Sequence, residues 1–175
     1  MTLSWSHKLF LRVNALLGRF PFFDRLMIVV AHGLVYGVIG GAVFWAHMVF
    51  GKAQFLLFLS VSIAAYCIGY AVNYGIALLY RHRRPIKEFP QIRTLVHTLG
   101  TWKTFPSDHA MTAAVPVAMM IAFGAPWWLS TLFVLGALLV AFSRVYVGVH
   151  YPRDVVGGFA VGIMSGLLAY SLILS

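Results

Sequence analysis

Ala110–Ser143, AMTAAVPVAMMIAFGAPWWLSTLFVLGALLVAFS, is a run of 34 residues without a single Asp, Glu, Lys or Arg. A helix crossing a bilayer needs about 20 predominantly apolar residues, so this run is too long for one span. Its middle resolves the excess. At Gly124-Ala125-Pro126-Trp127-Trp128 the Gly and Pro turn the chain, and a Trp pair suits the membrane–water interface. The stretch therefore reads as two spans joined by a tight hairpin. Working outward, Leu26–Gly51, Ala53–Tyr80 and Val155–Ser175 are further uncharged runs of spanning length, with a second hairpin at Lys52. The expected architecture is an all-α membrane protein, one domain over residues 1–175, built as a bundle of about five transmembrane helices.

Composition agrees. Of the 175 residues, 61% are hydrophobic and only 10% charged, against about half and about a quarter in soluble domains. The mean hydropathy is +0.88. A surface this apolar belongs in a lipid bilayer. Net charge is +9, from 13 basic and 4 acidic residues. In this setting the expected partners are anionic lipid head groups and not nucleic acid. Cys67 is the single cysteine and sits inside an apolar run, so it forms no internal disulfide. Lys8 and Arg12 interrupt the start, and no signal peptide is expected.

Ahead of the spans, Trp5, Leu9, Val13, Leu16 and Leu17 recur at helical spacing, with Ser6, Lys8, Arg12 and Asn14 elsewhere on the wheel. This predicts an N-terminal amphipathic helix lying in the interface, ended by Gly18 and Pro21. Ile92, Leu95, Val96 and Leu99 predict a second short helical face within loop Pro85–Phe105. Gly33, Gly37 and Gly41 stripe the first span, and Gly158, Gly162 and Gly166 the last. Such stripes let helices approach closely, inside one bundle or between two copies.

Following the spans in order shows where the polar residues collect. One end of the bundle receives all 4 acidic residues and every basic residue except Lys52. Arg84, Ser107, Asp108, His109, Arg144, His150, Arg153 and Asp154 meet there. Pro106 and Ser107 make a helix start with Ser107 as N-cap, and His150-Tyr151-Pro152-Arg153-Asp154 makes another. Two helix N-termini beside Arg84 and Arg144 favour an anion, and guanidinium groups match phosphate oxygens with paired donors. His150 stands four residues before Asp154, close enough for the carboxylate to take one ring N–H and leave the other nitrogen as nucleophile. His109 is placed to protonate a leaving oxygen. The pattern points to hydrolysis of a phosphate ester or anhydride through a phosphohistidine, with no metal and no cofactor. His32 and His47 read as interfacial or packed residues of the first span.

Arg84-Pro85, Pro106-Ser107-Asp108-His109 and SRVYVGVHYPRD, Ser143–Asp154, together resemble the three-part signature of the type 2 phosphatidic acid phosphatase superfamily. The last part matches the S-R-x5-H-x3-D spacing throughout. The resemblance implies His150 as nucleophile, Asp154 as its partner and His109 as general acid. It also implies that Arg84, Ser107 and Arg144 hold the phosphate, with Asp108 contributing its backbone N–H. The family's first motif usually carries a Lys seven residues before the Arg; here that position is Ala77, and Arg81, one turn on if the helix continues, is a candidate replacement.

Within the family, the P-S-D-H variant and VNYGIALLY before Arg-Pro look most like bacterial undecaprenyl-diphosphatases. The implied substrate is an anionic prenyl- or phospholipid, and the implied place a bacterial plasma membrane with the active site outside. Lys87, Arg93 and Lys103 in the loop over the site suit a diphosphate head group, and suit lipid A or phosphatidylglycerol phosphate too. Two other classes compete. A non-catalytic protein that binds lipid phosphate would fit Ala77 but not the intact His109, His150 and Asp154. A haem protein would need facing histidines inside the bundle, and only His32 and His47 lie within spans.

Overall fold

In hydrocarbon no water is present to pair with the backbone, so apolar runs of this length close their hydrogen bonds internally as helices. The computed structural model, which describes residues 3–96 and 103–174, follows that rule and contains no strand among the described residues. Helix α1 is Trp5–Asn14. Next come α2, Pro21–Val49, α3, Lys52–Leu79, and the single turn α4, Pro85–Glu88. Helices α5, Asp108–Ala122, α6, Trp127–Tyr146, and α7, Pro152–Leu174, complete the chain.

Four of these, α2, α3, α6 and α7, are long and apolar enough to cross a membrane. The remaining expected span, α5, has 15 residues and is about 22 Å long at 1.5 Å per residue. It is bounded by Pro106 on one side and by the Gly124–Pro126 turn on the other, where Gly124 adopts φ +75°. Ten of its 15 residues are buried, because it runs through the centre of the bundle. Pro116 lies inside it and cannot donate to the carbonyl of Thr112. The hydroxyl of Tyr66 on α3 donates to that oxygen at 3.2 Å instead.

The two glycine stripes behave differently. On α7 a Cβ at Gly162 would lie 2.5 Å from the Met111 carbonyl and 2.7 Å from Ala114, and one at Gly166 would lie 2.7 Å from Ala118. This stripe is what lets α5 and α7 touch along their length. On α2 only Gly41 meets another helix, at Phe133, while Gly33 has nothing within 4 Å. The close packing expected of the first stripe is therefore confined to its last member.

Helix α1 forms where its pattern predicts, closed by a capping box between Ser4 and His7. It turns Trp5 and Leu9 outward and buries Ser6, His7, Phe10 and Asn14 against the polar end of the bundle. The second amphipathic helix does not form in the described part of its loop. Residues 91–96 are turns and irregular backbone, and Leu99 lies outside the described residues. Their polar groups are taken from elsewhere: Asn14 receives Arg93 N–H at 3.3 Å and donates to Arg93 C=O at 2.8 Å, and Leu95 N–H donates to Val147 C=O at 3.1 Å. With partners in α1 and α6, the segment has no need of its own helical ladder.

Candidate active site

The chain ends that bring the motifs together are held by local chemistry. Ser107 caps α5, its Oγ accepting from Ala110 N–H at 3.5 Å, and its own N–H donates to Asp154 C=O at 2.9 Å. That second bond ties the start of α5 to the start of α7. Arg84 reaches across to the loop before α7, with Nη1 at 3.5 Å from Val149 C=O. The motifs therefore share one end of the bundle, as the order of the spans predicts.

Asp154 is fully buried at the centre. Its Oδ2 accepts from Tyr151 N–H at 2.8 Å and from Thr104 Oγ at 2.8 Å. His150, 5% exposed, presents Nδ1 to the same corner, 3.6 Å from Asp154 Oδ2 and 3.4 Å from Thr104 Oγ. The carboxylate thus faces the imidazole as expected, but a hydroxyl stands nearer. Burial pushes the His150 pKa below its ordinary 6.5, against the upward pull of Asp154, with Arg144 and Arg84 adding to the fall. A neutral imidazole is the nucleophilic form.

Two guanidinium groups flank it. Arg144 is buried and donates through Nη1 to Ala31 C=O at 3.0 Å. Ala31 lies in a π-helical turn of α2, Val30–Leu34. Arg84 is half-buried; desolvation lowers its pKa, and Asp154 and Asp108 oppose that. Arg84 Nε and Arg144 Nε are both buried without a hydrogen-bond partner among the described residues. Buried donors of this kind are costly unless something accepts from them, and an anion between them would. His109 is in the first turn of α5, directly after Asp108. His32, read from sequence as an interfacial residue, is exposed, with Nδ1 2.8 Å from Ile28 C=O.

The cations divide differently from expectation. Helix α3 ends at Leu79, so it does not carry on from Ala77 to Arg81, which is exposed in irregular backbone. Arg93 turns its Nη1 toward Leu17 C=O, 3.5 Å away. Lys103 is the loop cation held at the motif: its Nζ lies 2.7 and 2.9 Å from the two carboxylate oxygens of Asp108. Asn73 of α3, fully buried, donates to Asp108 Oδ1 at 2.9 Å. The Asp108 side chain is therefore neutralised by a lysine and an amide, and faces them.

Of the remaining acids, Asp24 and Glu88 are structural. Asp24 accepts from Tyr146 Oη at 2.6 Å and from Gly18 N–H at 2.9 Å. Glu88 accepts from Tyr151 Oη at 2.8 Å and faces His7 Nε2 at 3.5 Å. Burial, with Glu88 beside it, pushes the Tyr151 pKa upward, which keeps this donor protonated. Arg153 lies over the Tyr151 ring, 5.1 Å from its centroid, and donates its backbone N–H to Ser6 of α1. Sequence reading missed Thr104 and Asn73. A lone Asn within an apolar span is itself a signal, since intramembrane polar groups are retained where they have work; Thr104 carries none.

Comparison with known proteins gives the same grouping. The PAP2 superfamily profile matches residues 54–174. The undecaprenyl-diphosphatase BcrC of Bacillus subtilis is 30% identical over 94% of this chain and 82% of that protein. The Escherichia coli protein YbjG is 29% identical over 92% of this chain and 79% of its own. Among solved structures, Aquifex aeolicus LpxE shares the fold with a TM-score of 0.79 at 20% identity, over 97% of this chain and 96% of that one.

Proposed function

This chain belongs to the PAP2 superfamily and is a membrane lipid phosphatase; on that premise we propose that it removes the terminal phosphate of undecaprenyl diphosphate by way of a phosphohistidine on His150. The observation that carries the reading is a buried His150 facing Asp154, beside two guanidinium Nε–H groups that have no hydrogen-bond partner among the described residues.

In the proposed reaction Nε2 of His150 attacks the terminal phosphorus in line with the bridging oxygen. The P–O bond to the lipid phosphate breaks, and His109 gives its proton to that oxygen. Arg84, Arg144 and Ser107 hold the non-bridging oxygens, where charge gathers in phosphoryl transfer. Water then attacks the phosphohistidine, His109 takes its proton, and inorganic phosphate leaves with Nε2 restored. Asp154 faces the imidazole throughout and stabilises its charge.

Three observations support the prenyl diphosphate as substrate. The similarity to BcrC extends over most of both chains. Lys103, whose ammonium turns two of its three donors to Asp108 at the start of α5, has one N–H left for a second phosphate. Beside the site, Ile76, Leu79, Tyr80, His82, Phe105 and Arg153 line an open cavity of about 490 Å³ whose surface is apolar. A lipid chain leaving the phosphate pocket would find there a surface matched to hydrocarbon. The working location is the outer face of a bacterial plasma membrane.

Phosphate release by the purified protein in detergent tests this, with undecaprenyl diphosphate, phosphatidate, phosphatidylglycerol phosphate and lipid A compared in parallel. Release is expected to be fastest from the prenyl diphosphate and absent in His150→Ala. Preference for another lipid would move the substrate assignment while leaving the mechanism. Full turnover without His150 would remove the mechanism.

A further inference from the structure

Thr104 is buried at the centre of the site, two residues before Pro106, and no motif marks it. Its hydroxyl has one proton. A carboxylate only accepts, so the 2.8 Å contact with Asp154 Oδ2 uses that proton. The remaining contact, 3.4 Å to His150 Nδ1, then has to run the other way, from ring N–H to hydroxyl oxygen. The direct His150–Asp154 contact, 3.6 Å, is longer than either hydroxyl contact. From this geometry we infer that Thr104 is a positioning residue for the nucleophile. It receives the Nδ1–H of His150 and hands its own hydrogen bond to Asp154.

The chemical consequence is a tautomer. With the proton held on Nδ1, the lone pair is on Nε2, the atom that attacks phosphorus. A hydroxyl in contact with both acid and imidazole also fixes the ring plane, since a buried donor and acceptor leave it one satisfied orientation. Tyr151 N–H completes the arrangement by holding the same carboxylate oxygen at 2.8 Å. The inference rests on His150 being the nucleophile, and the experiment separates the two.

Thr104→Val removes the hydroxyl at nearly constant volume. With undecaprenyl diphosphate, kcat is expected to fall by about ten- to a hundredfold, the range for losing a hydrogen bond to a charged group. KM and inhibition by inorganic phosphate should stay within about threefold, because the phosphate clamp is untouched. Thr104→Ser should restore kcat to within about threefold of the unmodified protein, since it returns the hydroxyl. The decisive arm is a double-mutant cycle. If Thr104 acts through Asp154, Thr104→Val added to Asp154→Asn costs little beyond Asp154→Asn alone. Fully additive losses, or unchanged kcat in Thr104→Val, would overturn the assignment. Should the Val variant not reach a folded, phosphate-inhibited state, Thr104→Ala against Thr104→Ser replaces it, and equal kcat in those two overturns it. Turnover that survives His150→Ala removes the proposed mechanism itself, whereas a dead His150→Ala beside a Thr104→Val of unchanged kcat removes only this inference.

Discussion

His150 sits in a loop between α6 and α7, packed by neighbours and not by its own helix, and its burial sets its chemistry. Its folded pKa lies below 6.5, so the folded protein binds that proton less readily than the unfolded chain. The stability this contributes is complete above pH 6.5 and is lost as pH falls from there toward the folded value. Thermal unfolding in detergent should therefore show a midpoint that declines below pH 6.5, with a shallower decline in His150→Gln. Equal slopes in the two would sink the argument. The same shift places the acid limb of kcat/KM that belongs to the nucleophile below pH 6.5. Arg144 makes a different point. It donates to the Ala31 carbonyl from the same planar fork that the proposed reaction turns to the phosphate. Arg144→Lys keeps the charge but loses the fork, and kcat/KM should fall by about ten- to a hundredfold. A variant within about twofold of the original would show that charge alone suffices. The grouping of Arg144, His150 and Asp154 was legible in the motif spacing, because R-x5-H-x3-D puts guanidinium, imidazole and carboxylate at two helix ends separated by one loop. Thr104 and the pairing of Lys103 with Asp108 were not legible, because the partners are 50 and 5 residues away and no spacing rule connects them.

Helices α5 and α7 show how far an element can be read from pattern. The hairpin at Gly124–Pro126 and the N-cap at Ser107 were evident, since turn and cap chemistry is local. The contact between the helices was not, although the glycines that make it were visible. A Cβ at Gly158 would collide with the Ser107 carbonyl, the residue that caps α5 and holds Asp154. Gly158→Ala is expected to cost about 1–3 kcal/mol by overpacking, and to lower activity by moving the cap. Gly33→Ala is its control: nothing lies within 4 Å, and Ala is the better helix former. Unfolding midpoints in detergent should fall for the first and hold or rise for the second. The reverse order would mean that the α2 stripe, and not the α7 stripe, carries the packing. The unformed helix of residues 91–96 has the same lesson. Apolar spacing predicted it, and side chains and carbonyls of α1 and α6 took its hydrogen bonds instead.

For the molecule as a whole, charge and resemblance point opposite ways. Nearly all basic residues are at the active-site end, and the positive-inside rule would put that end in the cytoplasm. Arg84 and Arg144 are accounted for by the phosphate pocket, and Lys103 by Asp108. Lys52 marks the opposite end, at the start of α3. A Lys52→Cys variant in a Cys67→Ala background should stay unlabelled by an impermeant thiol reagent on intact cells and react after lysis. Labelling from outside would reverse the proposed orientation. A metal-free route also predicts that EDTA leaves phosphate release unchanged. A loss restored only by added divalent metal would contradict the phosphohistidine scheme.

Uncharged runs of 20 or more residues, with Gly and Pro breaks between them, were enough to establish a helical membrane bundle. The order of those runs was enough to bring three motifs to one end, because successive spans alternate direction. Both follow from bilayer thickness and backbone hydrogen bonding, which act on local sequence. Folding in three dimensions settled the rest: α5 as a short buried axis, Asp108 turned to Lys103 and Asn73, and Thr104 in contact with both His150 and Asp154. Those pairings join residues far apart in the chain or in different elements. They depend on which side chains meet once close-packed helices leave buried polar groups only each other as partners.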